Sequence, residues 1–233
     1  MKKLFFAASL LFAVNLIAQK TTKKGAAPTL KESTKAVATT SNTGETIVEI
    51  TTDFGVMKAR LYNNTPLHKD NFIKLVKDGF YDSLLFHRVI NGFMLQGGDP
   101  TSKRADSTTM LGGGEVPNVP TIPAEFRSNL IHKKGALAAA RDNNPDKKSS
   151  NCQFYIVQGR KTDTAQLSAA NNYTKVQKEI YQRIGGTPFL DQNYTVFGEV
   201  FMGLDIIDKI AATPLYENDR PVKNVRMKIK IIK

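Results

Sequence analysis

Residues 46–52 (TIVEITT) are rich in β-branched residues, and apolar and polar residues alternate through the middle of 56–62 (VMKARLY). Successive strand side chains point to opposite faces, so both segments predict half-buried strands. Asp53-Phe54-Gly55 between them predicts the turn of a hairpin. After Thr65 the period changes: Phe72, Leu75 and Val76 mark one face of a predicted helix, with Thr65 as N-cap, Pro66 at its first position and Gly79 as C-cap. Short apolar runs predict further strands near 85–90, 93–96, 135–140, 153–157 and 196–200, a second helix over 202–210, and a closing strand over 225–232 with lysines alternating outward. Leu167, Ala170, Val176, Ile180 and Ile184 stand partly at helical spacing and predict an inserted helix over 166–184. Many strands with two helices suit a mainly β fold, a closed antiparallel barrel capped at its ends. Residues 100–121, including Gly112-Gly113-Gly114, lack the lysine and spacing of a phosphate loop and are expected to form a flexible surface loop.

The first 18 residues stand apart from that pattern. Lys2 and Lys3 precede an apolar run from 4 to 18, interrupted only by Ser9 and Asn15, and Ala18 is small enough for a cleavage site. This is the layout of a secretory signal peptide, and the run is shorter than the roughly 20 residues that span a bilayer. The expectation is an exported protein, periplasmic or secreted, cleaved near Ala18, with no stable membrane insertion afterwards; an uncleaved anchor is the alternative. Residues 19–44 are rich in Thr, Lys, Ala and Ser without an aromatic residue, the composition of a linker that cannot offset its ordering entropy by burial. The folded domain is expected over 45–233.

Hydrophobic residues are 41% of the 233 and charged residues 23%, which fits an ordinary globular chain and excludes a wholly disordered one. The net charge of +12 is unevenly spread. Lys2 and Lys3 account for two, and Lys20, Lys23, Lys24, Lys31 and Lys35 against Glu32 for four, leaving +6 from Glu45 onward. No aromatic residues interleave the linker lysines to stack bases, so no nucleic-acid partner is expected. Cys152 is alone, which rules out an internal disulfide and suits a buried small residue. His68, His87 and His132 show no ligand spacing, so no metal is expected. Asp53-Phe54-Gly55 lacks the accompanying kinase motifs, and no serine sits in G-x-S-x-G.

The chemistry concentrates in residues 86–99, FHRVINGFMLQGGD. Met94 and Gln96 share a strand face, with Arg88 one short turn upstream. A fixed cation and an amide beside an apolar floor suit a ligand that is mostly apolar and carries a carbonyl. The segment resembles the signature of the cyclophilins, the cyclosporin-binding peptidyl-prolyl cis-trans isomerases. GALAAAR from Gly135, CQFYIV from Cys152 and FLDQNYTVFGEV from Phe189 follow in that family's order.

The resemblance implies an eight-stranded barrel with two helices and a ligand groove on its outer wall. It implies rotation of X–Pro bonds without cofactor, in a monomer acting on proline-containing peptides and unfolded segments of exported proteins. Arg88, Phe93 and Gln96 would be catalytic, Arg88 as hydrogen-bond donor to the amide nitrogen and Gln96 orienting Arg88 and the substrate carbonyl. Phe93, Met94, Tyr155 and Leu190 would receive the proline ring. Ala140, Arg141 and Gln153 would hold the preceding residues, and Phe189 and Tyr194 line the far rim. Arg141 stands where the family often has Asn, Tyr155 where Phe is common, and Phe189 and Tyr194 where many members carry Trp and His. His87 is expected to be a structural hydrogen-bonding group. A non-catalytic peptide-binding module or holdase on the same fold is the other reading.

Overall fold

The computed structural model describes residues 44–163, Ala165, Leu167 and residues 172–233. The expected signal peptide, the linker up to residue 43, and residues 166 and 168–171 of the expected inserted helix lie outside the described residues.

Strands β1 (Thr46–Thr52) and β2 (Gly55–Leu61) form the expected hairpin, pairing Thr52 with Gly55 around a two-residue turn. Gly55 adopts φ 131°, a conformation costly for any residue with a Cβ. Helix α1 (Pro66–Lys77) buries Phe72, Leu75 and Val76, packs on the later strands β7 and β8, and ends at Gly79 with φ 65°. Then come β3 (Phe86–Ile90), β4 (Met94–Gly97), β5 (Ala136–Ala139) and β6 (Phe154–Val157). Helix α2 (Lys175–Arg183) is the described part of the insertion, shorter than the expected span because Thr174 and Gln177 close a capping box at its start. Strand β7 (Val196–Met202), helix α3 (Leu204–Ala211) and strand β8 (Met227–Ile231) complete the chain.

All eight strands belong to one antiparallel sheet in the order β3-β4-β6-β5-β7-β2-β1-β8. The expected closed barrel needs correcting. β3 and β8 end this order and share no ladder; the curled sheet meets itself only where the two strands begin. Leu85 bridges Arg226 there, and Phe86 N–H donates to Val225 O at 2.9 Å.

The sheet buries apolar side chains on both faces where the site lies. On one face Leu95, Leu137, Phe154 and Ile156 join Val48, Ile50, Met57 and Phe72 in the main core. On the other, Met94, Ala136, Ala138, Tyr155 and Val157 form a second cluster with Leu190 and Val196. Two buried faces explain why these runs read as continuous apolar stretches rather than alternating ones. A third cluster, with Ile131, Leu167, Tyr173 and Tyr181, belongs to the insertion.

The N-terminus of α1 corrects a second expectation. The Thr65 side chain makes no cap hydrogen bond. The buried Glu125, 57–58 residues away, accepts instead from Leu67 N–H at 3.2 Å and His68 N–H at 3.0 Å, and its Oε2 lies 2.7 Å from His68 Nδ1. Glu125→Ala removes both cap bonds and orphans a buried imidazole nitrogen. We expect a loss of about 2–4 kcal/mol in stability, read as a lower urea midpoint; an unchanged midpoint contradicts this role.

Candidate active site

The ladders align Arg88 with Gln96, Gln96 with Tyr155, and Tyr155 with Ala138. Cross-strand partners share a face, so these four form one row across β3, β4, β6 and β5. Arg88 ends the row with its side chain 45% exposed, whereas Tyr155 is buried. A cavity of about 100 Å³ opens over the row, lined by Arg88, Phe93, Met94, Gln96, Ala140, Arg141, Tyr155, Leu190 and Tyr194. Of the eleven residues expected at the site, only Gln153 and Phe189 are not in this lining.

Both remain beside it. Gln153 lines an adjoining cavity of about 520 Å³ that shares Gln96, Ala140 and Arg141 with the first. Phe189 stacks its exposed ring on Phe93 with centroids 5.6 Å apart. It follows Pro188 on a short 3-10 turn, which turns Leu190 inward and leaves Phe189 outward. Arg141 reaches across the groove: its guanidinium lies 4.5 Å over the Tyr194 ring, and Nε donates to Asn193 O at 3.0 Å.

The polar contacts differ from expectation in three respects. Gln96 stands across from Arg88 in the ladder, but its amide nitrogen is paired elsewhere. Its Nε2 donates to Gln153 Oε1 at 3.0 Å, because the facing amide is already fixed: Gln153 Nε2 donates to Gly112 O at 2.9 Å and Gly114 O at 2.8 Å. Arg88 is held by Asp219 instead, with Nε 3.4 Å from Oδ2. Asp219 sits at φ 63° in the loop before β8 while its carbonyl accepts from Val89 N–H at 2.8 Å, so backbone pairing places its carboxylate beside Arg88. No local pattern marks it; an acidic residue 131 positions away becomes a partner only through the fold. Third, His87 is buried near Gly112 of the glycine-rich stretch without a well-formed side-chain hydrogen bond, and its polar neighbour is the Leu85 backbone.

That stretch is tied down more than a flexible surface loop would be. Buried Asp99 accepts from Thr101 N–H at 2.8 Å, Gly112 N–H at 2.5 Å and Gly114 N–H at 3.2 Å. Burial opposes the charge of Asp99, but the Thr101 hydroxyl, donating to Oδ1 at 2.6 Å, and these backbone N–H groups outweigh it and hold the carboxyl below its usual range. Cys152 is buried as expected, and burial pushes its thiol up to about 12, so it is no nucleophile at neutral pH. Among the described residues, no cluster of His, Cys, Asp or Glu is arranged to hold a metal.

Residues 47–231 match the family model described as cyclophilin type peptidyl-prolyl cis-trans isomerase/CLD. A Staphylococcus aureus (strain USA300) protein named "Putative peptidyl-prolyl cis-trans isomerase" is 36% identical over 185 residues, covering 78% of this chain and 89% of its own length. A protein of the same name from Staphylococcus saprophyticus is 36% identical over 162 residues, 69% of this chain and 77% of its own. Among solved structures, a Cryptosporidium parvum cyclophilin type peptidyl-prolyl cis-trans isomerase aligns with TM-score 0.62 at 24% identity, over 82% of this chain and 99% of its own. A second structure of it, in the presence of the dipeptide Ala-Pro, gives TM-score 0.60. That likeness is one of fold.

Burial lowers His87 from 6.5 to about 4, with Asp99 opposing the shift and Arg88 adding to it. A depressed histidine contributes its stability above the unfolded value, where both states are neutral. The contribution is lost as pH falls from about 6.5 to about 4, because the unfolded chain takes up the proton first. The shift corresponds to about 3 kcal/mol. Between pH 7 and pH 4 the wild type should therefore lose about that much more stability than His87→Leu in urea titrations. Parallel losses would show that His87 does not titrate out of register.

Proposed function

The chain belongs to the cyclophilin-type peptidyl-prolyl cis-trans isomerase family, and on that premise we propose that Arg88 promotes rotation of X–Pro bonds bound in the cavity beside it. The chain is an isomerase that needs no cofactor, and its reaction makes and breaks no covalent bond. Resonance stiffens the C–N bond, giving a barrier of about 18–20 kcal/mol. In the twisted transition state the nitrogen becomes pyramidal and regains a lone pair. A donor aimed at that lone pair stabilises the twisted form above the planar one, which is the condition for catalysis. Lowering the barrier by about 7 kcal/mol gives a rate gain on the order of 10⁵.

The observation that carries this reading is the Arg88 guanidinium at the edge of a cavity that also holds Met94, Tyr155 and Leu190, while the cavity's other guanidinium, Arg141, lies over the Tyr194 ring. A guanidinium offers a planar fork of N–H donors and no acceptor. Asp219 engages Nε, which leaves the Nη nitrogens as donors toward substrate. Met94, Tyr155 and Leu190 supply an apolar seat for the proline ring, closed on one side by Phe93 against Phe189. Gln96, locked by Gln153, presents its carboxamide to the substrate backbone, and Ala140, Arg141 and Gln153 hold the residues before proline. The substrates in this reading are proline-containing peptides and unfolded protein segments.

We also propose that the chain acts on exported proteins after cleavage near Ala18. The basic start and 15-residue apolar run support it. Intact mass of the protein from its native host tests this: loss of about the first 18 residues is expected, and a full-length chain inside the cell contradicts it.

Arg88→Ala should fold normally and lose about 10²–10³ in kcat/KM. Arg88→Lys should also lose most activity, because a point charge does not reproduce the planar fork. Wild-type turnover by a folded Arg88→Ala variant would exclude Arg88 as the donor.

A further inference from the structure

The inserted segment ends on the groove. Asp191 directly follows Leu190, and its carboxylate is buried with two donors on each oxygen. Oδ1 accepts from His132 N–H at 2.8 Å and lies 2.7 Å from His132 Nδ1. Oδ2 accepts from the Tyr173 hydroxyl at 2.7 Å and the Tyr181 hydroxyl at 2.5 Å. The Tyr173 hydroxyl also lies 3.0 Å from Pro188 O, at the start of the turn that carries Phe189 and Leu190. On the far side of the imidazole, His132 Nε2 lies 3.0 Å from the Tyr155 hydroxyl. Asp191 is an acceptor facing Nδ1, so a neutral imidazole so oriented donates Nδ1–H to Asp191 and offers Nε2 to the Tyr155 hydroxyl.

We propose that the insertion is a positioning element for the proline seat: Tyr173 and Tyr181 hold Asp191, which fixes Leu190 as one wall and, through His132, Tyr155 as the floor. Two tyrosines outside the groove thereby set the place of two residues that line it. The substitution of Tyr for Phe at 155 gains a purpose, because only a hydroxyl can join this chain of hydrogen bonds. A buried network in which every member is satisfied specifies one geometry, and removing one member loosens its neighbours. The floor and wall contact substrate through apolar surface, so their displacement weakens binding more than it changes the rate of the bound peptide.

The inference rests on the groove being the isomerase site. Turnover by the wild type tests that reading, whereas only the ratio of variant to wild type tests this one. The experiment measures KM and kcat separately for an X–Pro peptide at 10 °C, on variants first checked for folding by circular dichroism. Tyr181→Phe and Tyr173→Phe each remove one hydroxyl, so either carries the test if the other fails to fold. KM should rise about threefold to tenfold with kcat changed less, and the His132 Nδ1–H proton resonance should move. Ile229→Val, a core change in β8 away from the groove, should lower thermal stability without raising KM. The double variant Tyr155→Phe/Tyr181→Phe should be no worse than the worse single variant, because both cut one chain. A wild-type KM in a folded Tyr181→Phe or Tyr173→Phe variant, or full additivity in the double variant, overturns the proposal.

Discussion

The antiparallel pairing of Arg88 with Gln96, and of Gln96 with Tyr155, puts a cation, an amide and an aromatic floor in one row on one face of the sheet. Strand side chains alternate, so a slip of one residue would exchange this row for Val89, Leu95 and Ile156. Those residues are fully buried in the main core, and exposing them would cost several kcal/mol of apolar burial. The hydrophobic core therefore enforces the register, and the register composes the groove.

A second set of contacts keeps the row in place. Gln153 spans from Gln96 to the carbonyls of Gly112 and Gly114, and Asp99 takes the amides of the same glycines. Asp219 plays the corresponding part for Arg88, and His132 for Tyr155. Arg88, Gln96 and Tyr155 are thus each held by a partner that does not itself line the smaller cavity. Preorganised donors need no rearrangement as the transition state forms, which is where their stabilisation comes from.

Much of this was legible in the chain, for physical reasons that differ between elements. The hairpin at Asp53-Phe54, the end of α1 at Gly79 and the strands carrying Met94 and Tyr155 follow from periodicity and turn chemistry, which are local. Nine of the eleven expected site residues line one cavity because the motifs that carry them fall on adjoining strands and on the loop after Leu190. What could not be read was which distant group answers each polar side chain. Glu125 in place of Thr65 at the start of α1, Asp219 as the ion-pair partner of Arg88, and the burial of His87 are all set by contacts across the fold. Closure of the sheet failed for the same reason, since the meeting of β3 with β8 depends on how their flanking segments enter, not on either strand's own pattern. Tyr155 carried one usable signal: a buried tyrosine needs a partner for its hydroxyl, and His132 supplies it.

The central claim is that this groove, with no added group, speeds rotation about an X–Pro bond. Exchange NMR on a short X–Pro peptide with catalytic amounts of the protein in EDTA-containing buffer tests it most directly. Uncatalysed interconversion takes tens to hundreds of seconds, so cis–trans cross-peaks at mixing times of about a second require catalysis. The account predicts strong cross-peaks with the wild type. Their absence in the presence of folded protein, at a peptide concentration where binding is visible, would contradict it.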